Sequence, residues 1–143
     1  MKYCLSVGLH NLYFDIAIVS EKHEIINSYR CIYDRSKDIS SNIYKAYKKY
    51  FNKYSIYGVG VGVSNNIDFK DDMIYSVTAF NFNRYNLKQA LVKQFGVEVI
   101  IIEETYAASL GVYSNQQSKS LLYVILDNKI SNSFVFNILI WKT

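Results

Sequence analysis

The chain has 143 residues, half of them apolar and 20% charged, which suits one domain with a hydrophobic core and leaves no room for two. With no proline and six glycines, collagen-like, linker-like and disordered readings fail. Sixteen Lys and Arg against twelve acids give a net charge of +4, short of what marks a dedicated nucleic-acid binder.

Cys4 and Cys31 lie far apart with no CxxC or Cys/His spacing. The pattern supports neither a zinc site nor a disulfide scaffold, so two free thiols are expected, with Cys4 a small core residue of its strand. No basic-then-apolar signal pattern opens the chain, and its longest apolar runs are far below a membrane span. A cytoplasmic domain with no membrane contact is expected.

The first third predicts three strands, residues 3–9, 13–20 and 24–33, joined by connections so short that neighbours must be antiparallel. Asp38 then fits the N-cap of a helix whose apolar face is Ile39, Ile43, Ala46, Tyr47, Tyr50 and Tyr54, with Lys45, Lys48 and Lys49 opposite. Residues 56–63, IYGVGVGV, alternate glycine with valine, which predicts a strand buried on both sides with another element close to its backbone. A polar loop is expected over residues 64–72 and a short extra strand over 73–77.

A second helix is predicted from Asn86, with Leu87, Ala90, Leu91 and Phe95 inward and Gly96 ending it. Residues 97–102 read as an apolar strand, and a third helix over 105–113 follows the acidic pair Glu103-Glu104, which suits the positive end of a helix dipole. The last segment predicts a hairpin, residues 121–126 and 133–141, turning at Asp127-Asn128-Lys129. The order β-β-β-α-β-α-β-α, then β-β, is that of the ribonuclease-H-like half of the actin/hexokinase fold. The expected fold is α/β, a mixed five-stranded sheet with helices over residues 1–120 and a C-terminal β-hairpin over 121–143 that would begin a second subdomain.

Two segments resemble the ROK family of sugar kinases and sugar-responsive repressors. IYGVGVGVSNNIDFKDDMIYSVTAFNF, residues 56–82, is similar to that family's I-x-G-I-G-I-G-V-P-G-P-V-D and the stretch after it. GVEVIIIEETYAASLG, residues 96–111, resembles the family's G-L-P-V-V-V-E-N-D-A-N-A-A-A-L-G in length and register. The opening, YCLSVGLHNLYFDIAIVSEKHEII, resembles its first hairpin, whose loop in active kinases reads D-x-G-G-T-K. The resemblance covers roughly the first half of a ROK protein. The remaining sugar ligands, the Cys-rich zinc motif and the repressors' helix-turn-helix, which precedes the segment starting here at Lys2, fall outside it.

The departures from the family pattern carry the functional expectation. The Asp position of the first phosphate loop is Gly8, and its G-G-T-K positions are His10, Asn11, Leu12 and Tyr13. The second phosphate loop, L-G-T-G-I-G-G-G, falls on LDNKISNS, residues 126–133, where no glycine remains. Backbone amides presented by glycines cradle phosphate, and bulky side chains cannot replace them. The family's catalytic Asp maps to Glu104 and the neighbouring sugar-binding Asn to Glu103, and P-G-P of the sugar pocket maps to Ser64-Asn65-Asn66. A base longer by one methylene, misplaced by about 1 Å, can cost ~10²-fold.

The resemblance therefore implies no catalytic residue, and leaves Asn65, Asn66, Glu103 and Glu104 as vestigial ligand-binding candidates. Simpler readings stand beside it: turn-forming asparagines, and a helix start stabilised by two carboxylates. The lysine patch also reads as a solvated helix face, and His10 and His23 as exposed turn histidines. No metal and no cofactor are expected. The function expected is a non-catalytic regulatory or interaction domain, a truncated xylose-repressor-like regulator without its own helix-turn-helix. Alternatives are a degenerate sugar binder or residual kinase, and a truncated gene product without selected function. The expected partner is a second copy or another regulatory protein, because the apolar hairpin residues Phe134, Val135, Phe136, Ile138, Leu139, Ile140 and Trp141 would lack a covering subdomain. Weak sugar binding is compatible with this reading, and direct sequence-specific DNA binding is not expected.

Overall fold

A computed structural model of the chain describes residues 1–114, 120–126 and 130–136, with side chains through residue 112. Three antiparallel strands open it, β1 (Tyr3–Leu9), β2 (Tyr13–Ser20) and β3 (Ile25–Ile32). Helix α1 (Ile39–Tyr50) leads to β4 (Ile56–Val63). A small meander, β5 (Asp68–Lys70), β6 (Met73–Ser76) and β7 (Tyr85–Asn86), precedes α2 (Leu87–Phe95), β8 (Glu98–Glu103) and α3 (Glu104–Ser114). The last strands, β9 (Ser120–Leu126) and β10 (Ile130–Phe136), pair antiparallel.

The main sheet has the order β3-β2-β1-β4-β8, with β4 parallel to both β1 and β8. It is the expected mixed five-stranded sheet of the N-terminal half of the actin-like fold. Leu5, Val7, Leu9, Phe14, Ile16, Ile18, Val59, Val61, Val63 and Val99 fill one face and form the core with Ile39, Ile43, Leu87 and Leu91 of α1 and α2. This alternation follows from strand geometry, every second side chain pointing the same way.

Local signals set the element ends. Asp38 accepts from the Ser41 N–H at 3.0 Å and caps α1, while Asn86 caps α2 by accepting from Gln89 N–H at 3.0 Å. Gly96 takes φ 67°, a left-handed cap that a side chain would strain. His23, with φ 64°, closes the β2–β3 hairpin in the same region, and Asp71 and Asp72, with φ 52° and 64°, make the two-residue turn between β5 and β6.

The structure corrects several expectations. Helix α1 stops at Tyr50, because Phe51 leaves helical geometry and packs into the core, so Tyr54 reaches the core from beyond the helix. Strand β5 lies in the segment expected as loop, and β7 includes Asn86, expected to begin the second helix; both exist because β6 pairs one on each side. The valine face of β4 is buried, but the glycine face borders an open cavity. Cys4 is half-buried on that glycine face, not in the core, and burial pushes its thiol up. Strand β10 begins at Ile130, three residues before the expected start, while the expected turn 127–129 and residues 137–141 lie outside the described residues. Among the described residues, no helix is long and apolar enough to cross a membrane.

The α1 cap also joins two layers. The Tyr85 hydroxyl donates to Asp38 Oδ2 at 2.9 Å and accepts from the Ser40 N–H at 3.1 Å. Burial raises the Asp38 carboxyl, but hydrogen bonds from Ser41, Tyr85 and Ser40 together hold it below its ordinary 3.8. A depressed carboxylate stabilises the fold above its unfolded pKa and loses that contribution as pH falls through the folded one. Asp38→Ala is expected to cost about 1 kcal/mol at neutral pH in urea unfolding. The gap to the native chain should narrow on acidification below the ordinary carboxylate range, whereas Asp38→Asn should lose that pH dependence.

Candidate functional site

The parallel strands β1, β4 and β8 end together, and in open α/β sheets the crevice beyond such carboxyl ends is where ligands bind. Three segments meet there: the β1–β2 turn, the loop after β4, and the start of α3. Ser64 N–H donates to the Leu9 carbonyl at 2.9 Å, and Ile67 N–H to the Ser64 carbonyl at 2.9 Å, so the loop after β4 folds back on the end of β1.

Asn11 ties these segments together. Its Nδ2 donates to the Asn66 carbonyl at 3.3 Å, its Oδ1 accepts from Thr78 N–H at 3.0 Å, and its carbonyl accepts from Ala79 N–H at 3.1 Å. One residue at the turn thus holds two loops that are 55 and 67 residues away in the chain.

Of the four residues proposed from sequence, two come together. Asn65 N–H points to Glu104 Oε1 at 3.4 Å, a long contact, and Asn65 Nδ2 is buried without a hydrogen-bond partner among the described residues. Asn66 is exposed and offers its backbone carbonyl to Asn11, and its N–H approaches Ser64 Oγ at 3.4 Å. Glu103 is exposed at the end of β8, in register with Val63. Helix α3 packs beside Gly62 at ordinary contact distance: a Cβ there would lie 3.6 Å from the Ala107 Cβ and 3.7 Å from the Glu104 Cα, so the space would accept a small side chain.

Beside Glu104 lies a cleft of about 290 Å³ between the glycine face of the sheet and α3, lined among others by Ser6, Gly8, Asp15, Ser28, Gly62 and Glu104. Both ionisable lining side chains are carboxylates. Asp15 accepts a two-pronged bond from Arg30 at 2.8 and 3.1 Å, which raises the arginine's pKa further, and the guanidinium sits 4.2 Å from the Tyr13 ring centroid. His10 is half-buried and not an exposed turn residue: it stacks on Tyr13 at 4.5 Å with Nε2 3.7 Å from Asp15. Its carbonyl accepts from the Tyr33 hydroxyl at 2.8 Å, and burial pushes that hydroxyl well above the usual range.

Sequence reasoning missed Asn11, Asp15 and Arg30. An Asp alternating with Phe14 and Ile16 in a strand, opposite an Arg of the next, was the available signal for the ion pair. Among the described residues, left-handed backbone occurs at His23, Asp71, Asp72 and Gly96, so the β1–β2 turn offers no alternating amide nest to an anion. Among them, too, no three His, Cys, Asp or Glu side chains gather to hold a metal.

The family model that matches this sequence is that of the ROK family, over residues 2–142. No curated protein matches it significantly. Among solved structures, a ROK hexokinase from Thermus thermophilus aligns with a TM-score of 0.78 at 14% identity, covering 94% of this chain and 47% of that one. A ROK glucokinase from Streptomyces griseus, solved with glucose and AMPPNP, aligns with a TM-score of 0.75 at 16% identity over 94% of this chain and 45% of its own. A ROK transcriptional regulator, a homologue of the E. coli MLC protein, gives a TM-score of 0.74 at 12% identity over 94% and 37%. The chain therefore spans less than half the length of these structures.

The geometry separates the two glutamates. Glu104 opens α3, where a carboxylate meets the helix dipole and the Asn65 amide, whereas Glu103 stands exposed at the end of β8. Glu104→Ala is expected to lower stability by about 0.5–1 kcal/mol in urea unfolding. Glu103→Ala should stay within about 0.5 kcal/mol of the native chain.

Proposed function

This chain belongs to the ROK family, and on that premise we propose that it is a non-catalytic regulatory and interaction domain, akin to the xylose-repressor-like branch. In this reading it works through protein contacts, with a second copy or with another regulatory protein, and reads no DNA sequence by itself. The observation that carries the reading is the β1–β2 turn. Where kinases of the family have a glycine-rich phosphate loop, the turn here carries Asn11, whose hydrogen bonds knit it to the two neighbouring loops, and a His10 ring stacked on Tyr13. Absence of left-handed backbone in that turn and the carboxylate lining of the cleft both oppose a bound phosphate. The glycine-free LDNKISNS at the second loop position supports the same reading.

A second reading, residual sugar binding without phosphoryl transfer, is favoured by one observation: the buried, unpartnered Nδ2 of Asn65 beside Glu104. A buried donor left unpaired costs on the order of 1–3 kcal/mol, which a ligand hydroxyl would recover.

Incubation with magnesium and ATP and a panel of hexoses, pentoses and N-acetylhexosamines is expected to yield no sugar phosphate. Turnover that disappears in Glu104→Ala would overturn the proposal. Sugar binding in calorimetry that weakens about ten-fold in Asn65→Ala, with no phosphorylation, would establish the second reading in its place.

A further inference from the structure

Strand β3 ends the main sheet, and among the described residues nothing pairs with its outer edge. Its residues are exposed almost throughout, Ile25 by 68% and Ile32 by 78%. The direction of its unpaired backbone follows from the hairpin. Ser20 N–H bonds the Glu24 carbonyl at 2.9 Å, and the ladder then runs Ile18 to Asn27 and Val19 to Ile25, leaving Ile26 as a bulge. Antiparallel alternation sends the amides and carbonyls of Asn27, Tyr29 and Cys31 to β2, and those of Ser28, Arg30 and Ile32 outward. Three successive outward pairs are enough to seat another extended strand.

The charge beside this edge selects the occupant. Tyr29 stacks on Tyr50 of α1 at 4.0 Å, so Asn27, Tyr29 and Cys31 share the face that α1 covers. Between β3 and α1 lies a cavity of about 250 Å³ whose lining includes Cys31, Ile32, Lys45, Lys49 and Tyr50, together with Arg30 and one carboxylate, Asp34, so cations outnumber acids three to one. Lys45, Lys48 and Lys49 are exposed, and no acidic side chain among the described residues lies within ion-pair distance of them. The opposite face of the edge carries Ile25 and Ile32, with Arg30 already held by Asp15. A second copy added here about a two-fold axis at Tyr29 would set the lysine rows of both α1 helices toward each other, a like-charge juxtaposition that opposes pairing.

We propose that the β3 edge binds an extended acidic segment of a partner protein as a sixth strand, with acidic side chains toward Lys45 and Lys49 and aliphatic ones toward Ile25 and Ile32. Main-chain bonds supply the affinity and the two faces supply the register. This names the contact surface of the proposed regulatory domain and rests on that reading.

The test uses the full chain and a fluorescein-labelled peptide of alternating glutamate and valine, matched to the 8 residues of β3. A lysine and valine peptide of the same length serves as the control. Anisotropy is expected to rise with the acidic peptide and stay flat with the basic one. The double change Lys45→Glu with Lys49→Glu should weaken binding about ten-fold or more, as should Ser28→Pro, which removes an outward amide.

The proposal is overturned if neither peptide binds at millimolar concentration, if both bind equally, or if the double lysine variant binds like the native chain. It is also overturned if light scattering shows a dimer that Ser28→Pro disperses, since the edge would then belong to a second copy. Should Ser28→Pro fail to fold, the lysine pair, which lies on an exposed helix face, decides. Failure of peptide binding leaves the non-catalytic reading standing, whereas sugar phosphorylation would end that reading and leave the peptide result intact.

Discussion

The alternation of valine and glycine along β4 is the constraint on which the rest of the molecule depends. This strand pairs in parallel with β1 on one side and β8 on the other, and a shift by one residue would turn its valines out of the core and its glycines in. Val59, Val61 and Val63 are buried against α1 and α2, each contributing about 1.5–3 kcal/mol relative to exposure. The glycines between them present a bare backbone to the other face. Beside Gly62 the first turn of α3 packs at ordinary contact distance, and there Glu104 reaches the loop after β4. A single period of two thereby builds the core and places the cleft.

At the carboxyl ends of the same strands, Asn11 decides what the cleft can hold. A phosphate loop keeps its amides free and its backbone bare. Here the turn spends its hydrogen-bonding groups internally: Asn11 reaches Asn66, Thr78 and Ala79, and His10 N–H bonds the Tyr13 carbonyl at 3.1 Å. Each such bond contributes a net ~0.5–1.5 kcal/mol, so the arrangement strengthens the junction of three loops while removing donors from a ligand. Of the two carboxylates that line the cleft, Asp15 is compensated by Arg30, and Glu104 faces the Asn65 amide. On the proposed reading, the turn uses these groups to join the loops and not to hold a phosphate.

Much of the framework was legible because its determinants are local. Asp38, Asn86 and Gly96 mark helix ends through chemistry within four residues, and the three opening strands are separated by connections of three and four residues. The resemblance of residues 56–82 and 96–111 fixed how these elements connect. What escaped depends on contacts distant in sequence. Strands β5 and β7 are 3 and 2 residues long and exist through β6, which no period-two pattern of that length can reveal. Asn11 looked like a turn residue, since its partners lie 55 and 67 residues away. Asn65 and Glu104, 39 residues apart, were named as separate candidates and their contact was not foreseen, while Asn66 in the turn after β4 and Glu103 at the end of β8 are both exposed.

The two ends of the sheet differ in a way that connects these features. The β8 end bears the apolar side chain of Ile100, 57% exposed, near the open glycine face, with α2 packed on its other face. The β3 end instead combines outward backbone groups, isolated isoleucines and a flanking lysine row. Natural edge strands are usually blunted by proline, by inward charge or by bulges. This chain has no proline, and the single bulge, at Ile26, sits near the start of the strand, leaving residues 28–32 straight. An unblunted edge beside a fixed charge is a recognition element, because the charge excludes strands of the wrong composition while the backbone accepts any extended chain. The loop junction at the strand ends and the pairing capacity at the strand side both follow from the same five-stranded scaffold.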